Sequence, residues 1–208
     1  MAFIASSFGR RLRCAVLLAL PLGGCSFDLG NWSLGPDKEA QPKPVATPAT
    51  PEISAKSISD AQEAAVQGRT LARSGKREEA LAEFEKALAL DPYNAQALYG
   101  RGLIYQGDKQ HEKAVEDFTA AHGLTPQRAE PLVARAASYL ALDKVKEAVT
   151  DLDEAVQADP NSATGWSYRG QAYERLGDKD KAKASYSRAL AIRPRDDAAR
   201  NGLARIGG

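Results

Sequence analysis

From residue 61 onward the chain repeats its own pattern of large, small and polar positions. Pro92, Pro126, Pro160 and Pro194 stand 34 residues apart, as do Ala80, Ala114, Ala148 and Ala182, and Ala87, Ala121, Ala155 and Ala189. The bulky set Phe84, Phe118, Leu152 and Tyr186 keeps the same register. So do Leu71, Tyr105, Tyr139 and Tyr173, and the small set Gly68, Gly102, Ala136 and Gly170. The units run 61–94, 95–128, 129–162 and 163–196 without an insertion. A fixed period of this length marks an array of supersecondary units, none of which buries its apolar face alone. Each proline stops a helix, because it lacks the N–H and clashes with the preceding turn. A capping residue precedes the next helix in most units: Asp60, Asn94, Ser162 and Asp196, with Asp60 and Glu63 placed as a capping box. Position 128 is an arginine, so the third unit lacks that cap. Residues 197–205 read as a short helix that covers the last unit.

This pattern resembles the tetratricopeptide repeat, with its W-x2-L-G-x2-Y…A-x3-F…P signature. In the fourth unit the signature reads Trp166, Gly170, Tyr173, Ala182, Tyr186, Ala189 and Pro194. The resemblance spans all four units. It implies an all-α fold, a right-handed α-solenoid of four helix-turn-helix repeats with a short C-terminal capping helix. Small residues would sit where helices approach closely, and large ones would fill the space between them. One departure is consistent: the family's usual Leu before the Gly is Gln67, Arg101, Arg135 or Arg169.

The first 57 residues follow other rules. Arg10, Arg11 and Arg13 precede an apolar run over 14–22, which is too short to span a bilayer as a helix. A basic flank, a short apolar run and small residues predict a signal peptide over 1–24. Leu22-Gly23-Gly24-Cys25 resembles the bacterial lipobox. That resemblance implies a diacylglycerol thioether on Cys25, cleavage after Gly24 and acylation of the new amine. Several acyl chains give stable anchoring where one is marginal. Ser26, by resemblance to Gram-negative lipoproteins, implies the outer membrane. A twin-arginine signal is a weaker alternative, because Arg10-Arg11 lacks the rest of that motif. Residues 25–57 read as the lipidated cysteine and a disordered tether, with Pro36, Pro42, Pro44, Pro48 and Pro51 in close succession. Within it Phe27, Leu29, Trp32 and Leu34 either dip into the membrane interface or stay unordered. The repeat domain is expected over 58–208.

The composition is globular, at 43% apolar and 26% charged residues. A formal net charge of +1 excludes a strongly basic nucleic-acid binder. Two cysteines exclude a disulfide framework, and both are accounted for, Cys14 in the signal and Cys25 at the lipid. His111 and His122 lie eleven apart without a neighbouring Cys and read as surface residues, not as metal ligands. No nucleophile elbow, phosphate-binding loop, zinc motif or paired-carboxylate signature is present, so neither an enzyme nor a cofactor is expected.

Function is therefore expected on the inner face of the array, lined by the first helix of each unit. By the resemblance, contacts come from repeat positions 2, 5, 9, 12 and 13. These supply Arg69 and Arg73, then Tyr99, Leu103 and Gln106, then Val133, Ala137 and Leu140, then Ser167, Gln171, Glu174 and Arg175. Leu103 and Ala137 are placed equally well in the groove or between repeats. The family's carboxylate-clamp set of Lys and Asn is missing. Tyr99, Val133 and Leu140 are expected to offer apolar anchors to a protein or peptide partner. Arg101 and Arg135 are expected to pair with Asp117 and Asp151, sixteen residues on. Arg169 has Ser185 in that place and is expected to be the arginine most available to a ligand. The Tyr105, Tyr139, Tyr173 ladder is expected to be core. The resulting expectation is a lipid-anchored periplasmic scaffold for envelope, pilus or secretion assembly. The alternative is an adaptor that recruits a cell-wall enzyme such as a peptidoglycan hydrolase.

Overall fold

The computed structural model describes residues 54–207. They form α1 (Ala55–Arg73), α2 (Arg77–Leu90), α3 (Ala95–Gly107), α4 (His111–Leu124), α5 (Ala129–Ala141), α6 (Val145–Ala158), α7 (Ala163–Arg175), α8 (Lys179–Ile192) and α9 (Asp197–Arg205). Among the described residues every helix touches only helices one or two places away in the chain. The contacts two places apart join odd-numbered helices alone: α1 with α3, α3 with α5, α5 with α7, and α7 with α9. Among the described residues the backbones of the even-numbered helices stay apart, and long side chains such as His122 and Glu154 span the gap between α4 and α6. The first helices of the units are therefore drawn together and the second helices splayed, which curves the α-solenoid with the odd-numbered helices on its inside.

Local chemistry sets the boundaries. Asn94, Ser162 and Asp196 cap α3, α7 and α9, accepting from the N–H groups of Ala97 (3.0 Å), Gly165 (3.2 Å) and Ala199 (3.0 Å). Arg128 makes no such bond. The residue before each proline is pushed out of helical geometry, as at Asp91 (ψ 96°) and Asp159 (ψ 91°). The turn inside each unit passes once through the left-handed region, at Gly75 (φ 82°), Lys109 (60°), Asp143 (59°) and Gly177 (79°). Only the outer two units use the residue that adopts this conformation without strain.

The start of α1 differs from the sequence expectation. Asp60 does not cap it. Ser54 does, accepting from the Ser57 N–H at 3.1 Å. Nothing between 55 and 60 breaks a helix, so once α1 packs on α2 the ladder extends outward to the next available cap. The last residues assigned to the tether, 55–57, are thus helical. The assigned signal peptide, Cys25 and most of the tether lie outside the described residues.

The repeat's large and small positions pack as a set. Ala80, Phe84 and Ala87, and their counterparts in later units, are buried. Gly68, Gly102 and Gly170 lie against Phe84, Phe118 and Tyr186 of their own units, where a Cβ would stand within 2.5–2.8 Å of the ring. The outer face of α1 is polar and exposed where its counterparts are buried. Glu63 replaces the buried Ala97, Pro131 and Gly165, and Thr70 replaces the buried Ile104, Ser138 and Ala172. Polar substitution of this kind lets a terminal helix face water.

Candidate functional site in the inner groove

Two adjoining pockets lie along the inside of α1, α3, α5 and α7, with volumes of about 470 and 340 Å³. Tyr99 and Leu103 line both and form the ridge between them. Leu103 keeps 41% of its surface exposed, so it belongs to the groove and not to the packing between repeats. Tyr99 is half-buried, its ring tilted against Phe118 at 5.7 Å between centroids. Burial, and then the nearby Glu130 carboxylate, push its phenol pKa up.

The larger pocket is ringed by cations. Arg69 and Arg73 project from α1, exposed and one turn apart, and enter no ion pair among the described residues. Arg77 also lines it, donating to Asp108 (2.5 Å) and to the Ile104 carbonyl (3.1 Å). Arg128 completes the ring and is paired with Glu130 at 3.0 Å. Its guanidinium holds the Glu130 carboxyl below the usual range. Arg77 and Arg128 escape a reading by helix-A register, because one opens a second helix and the other occupies a cap position. The smaller pocket has no cation in its lining and carries Glu130 and Asp159.

The other expected groove residues are tied into the scaffold. Val133 and Leu140 are 9% and 4% exposed and belong to the core, because the helices on either side close over them. Each still lines the inner groove with the little surface it exposes, Val133 in the smaller of the two pockets and Leu140 in a further one toward α7. The Gln106 amide donates to the Ala134 carbonyl and the Ser138 hydroxyl, both at 2.8 Å, and stitches α3 to α5. Ser167 is buried and donates to Asp196 at 3.4 Å. Glu174 accepts from the Tyr186 hydroxyl (2.6 Å) and from Arg205 (2.8 and 3.0 Å), tying α9 down. Arg175 donates to the Leu140 carbonyl at the end of α5, where the helix dipole favours a cation. Gln171 and Ala137 stay half-buried along the groove.

Away from the groove, Arg101 and Arg135 make the expected two-pronged pairs with Asp117 (2.8 and 2.7 Å) and Asp151 (2.8 and 2.8 Å). Arg169 is not the available one. It pairs with Asp153 at 2.6 Å, donates to Ser185 at 2.7 Å and lies over the rings of Trp166 and Tyr173. The missing acid of its own unit is supplied by α6 of the unit before. Tyr105 and Tyr139 are half-buried, each with an arginine over its ring, and only Tyr173 of the ladder is core. His111 and His122 are half-buried, and His122 faces Glu154 at 3.5 Å.

Profiles of the family described as TPR repeat match residues 68–109 and 137–177, and those described as tetratricopeptide repeat match 95–128 and 163–196. The chain belongs to the tetratricopeptide-repeat family. No curated protein matches it. Among solved structures it is similar to a thermophilic TPR protein of Thermus thermophilus: 25% identity over 71% of this chain and 83% of that one, TM-score 0.62. MamA of Desulfovibrio magneticus shares the fold, with 22% identity over 66% of this chain and 78% of that one, TM-score 0.59. The first TPR of Spaghetti, solved with an HSP90 peptide, is 28% identical over 56% of this chain and 92% of that one, TM-score 0.54. Tetratricopeptide-repeat proteins are generally non-enzymatic scaffolds for protein–protein interaction.

Proposed function

We propose that this tetratricopeptide-repeat chain is a non-catalytic scaffold that receives a peptide segment of a partner protein in the inner groove. The observation that carries the reading is the ridge of Tyr99 and exposed Leu103 between two adjoining pockets. A concave pocket lined by apolar and aromatic side chains with a few polar groups around it is where a ligand binds. The neighbouring domain that holds an HSP90 peptide supports it. On the lipobox-like Leu22-Gly23-Gly24-Cys25, the scaffold is anchored through lipid on Cys25 to the bacterial envelope, at the outer membrane and facing the periplasm. Its work there is envelope, pilus or secretion assembly, or recruitment of a cell-wall enzyme.

Two variants test the two halves of the reading. A photo-crosslinker at Leu103 in cells should capture a partner, and Tyr99→Ala should reduce the capture about tenfold or more, since burying such a side chain is worth roughly 1.5–3 kcal/mol. Capture unaffected by Tyr99→Ala would remove the groove from the mechanism. Cys25→Ala should abolish lipid labelling and release the protein from membranes, and unchanged fractionation would end the anchor assignment.

A further inference from the structure

The two halves of the groove differ in charge, and this sets what lies in it. Four arginines and one carboxylate line the pocket on the α1 side. Arg77 and Arg128 are already neutralised by Asp108 and Glu130. Arg69 and Arg73 are left without a partner among the described residues, so this pocket presents two uncompensated guanidinium groups beside the exposed Leu103. Across the ridge, the other pocket offers Glu130 and Asp159 and no cation. At the far end of the array Arg205 is paired with Glu174, and Arg175 donates to the Leu140 carbonyl and faces the Asp143 carboxylate at 3.9 Å. Uncompensated positive charge inside the groove is thus confined to the α1 end.

Resting on the groove reading above, we infer that the occupant is an acidic linear segment of a partner protein, with a bulky apolar residue over Leu103 and two carboxylates on Arg69 and Arg73. The spacing supports this chemistry. Four helical residues separate the two arginines, a rise of about 6 Å. Carboxylates two apart in an extended chain are about 6.6 Å apart and point the same way. An acid-x-acid pattern therefore meets both guanidinium groups, each of which receives a carboxylate in two-pronged geometry. The rest of the segment crosses the Tyr99–Leu103 ridge toward α7. There Asp159 lines the groove without a cation beside it, and further acids are disfavoured.

A display library of random twelve-residue peptides, panned on the full chain, tests this without knowledge of the natural partner. The expected winners carry two acids, in acid-x-acid spacing, next to an aromatic or long aliphatic residue. Their affinity should fall at least tenfold on Arg69→Glu with Arg73→Glu, and the same double variant should select basic peptides in their place. Both arginines are exposed, so the variant stays folded, with a small drop in melting temperature from the carboxylate placed at the C-terminal end of α1. Winners that are neutral or basic, and are lost on Leu103→Ser, would overturn the acidic class and leave the groove reading standing. Winners indifferent to Leu103→Ser and to the arginine pair, or no winners at all, would overturn both.

Discussion

Gly202 of α9 lies flat against the ring of Tyr186 in α8, closer than any side chain at 202 could approach. The same step of the repeat brings Gly100 onto Phe84 and Ala134 into the cluster around Phe118. Opposite the smaller Leu152 the position is filled by Tyr168. Where the first residue is an aromatic ring the next unit supplies Gly or Ala, and where it is the shorter Leu152 the next unit fits a larger side chain. Close-packed interiors leave no other solution.

This relationship predicts a compensating pair. Leu152→Phe should destabilise the fold by about 1–3 kcal/mol, because the added ring has only Tyr168 to displace. Combining it with Tyr168→Ala should recover most of the loss, since the pair then copies Phe118 and Ala134. Urea denaturation of the two single variants and the double variant gives the coupling. A coupling near zero would show that the two positions pack independently.

Arg135 and Asp151 form the more buried of the two matched pairs, with side chains 14% and 8% exposed. Arg135→Ala should cost about 3 kcal/mol, because it strands a buried carboxylate. Arg135→Ala with Asp151→Ala should cost distinctly less than the arginine change alone. Arg101 is more exposed at 25%, and its removal should be milder. Thermal unfolding of the three variants checks the order, and partner capture should be unaffected by any of them.

Glu174 carries a pH dependence with a defined sign. The Arg205 guanidinium, and with it the Tyr186 hydroxyl, holds the Glu174 carboxyl below the usual range. A group depressed in the folded state stabilises it fully above its unfolded pKa, about 4.3, and loses that contribution as pH falls through the folded value. Acid should therefore loosen α9 from Tyr186. Carbon-detected NMR should find Glu174 titrating below the exposed glutamates, and Arg205→Ala should raise it. Glu174→Gln should flatten the stability profile as pH falls below about 4.3. A Glu174 that titrates with the exposed glutamates would remove the ion pair from the docking of α9.

The array itself was legible in the residues, because each unit is a local structure that recurs. A proline every 34 residues, a cap two residues later and small positions facing large ones define helices whose contacts lie within one or two elements. The Arg101–Asp117 and Arg135–Asp151 pairs follow from the same hairpin geometry. What the tertiary structure decided is which inner-face positions stay open. Val133 and Leu140 occupy the same kinds of position as Tyr99 and Gln106, yet they are covered, because coverage depends on the bulk contributed by neighbouring units and not on register. Arg169 found its acid on a different unit for the same reason. The cationic rim joins residues from α1, from the start of α2 and from the cap of α5, which no single period connects. Local sequence sets where a helix begins and which way it faces, while the sizes and charges meeting across three helices set what remains exposed to a ligand.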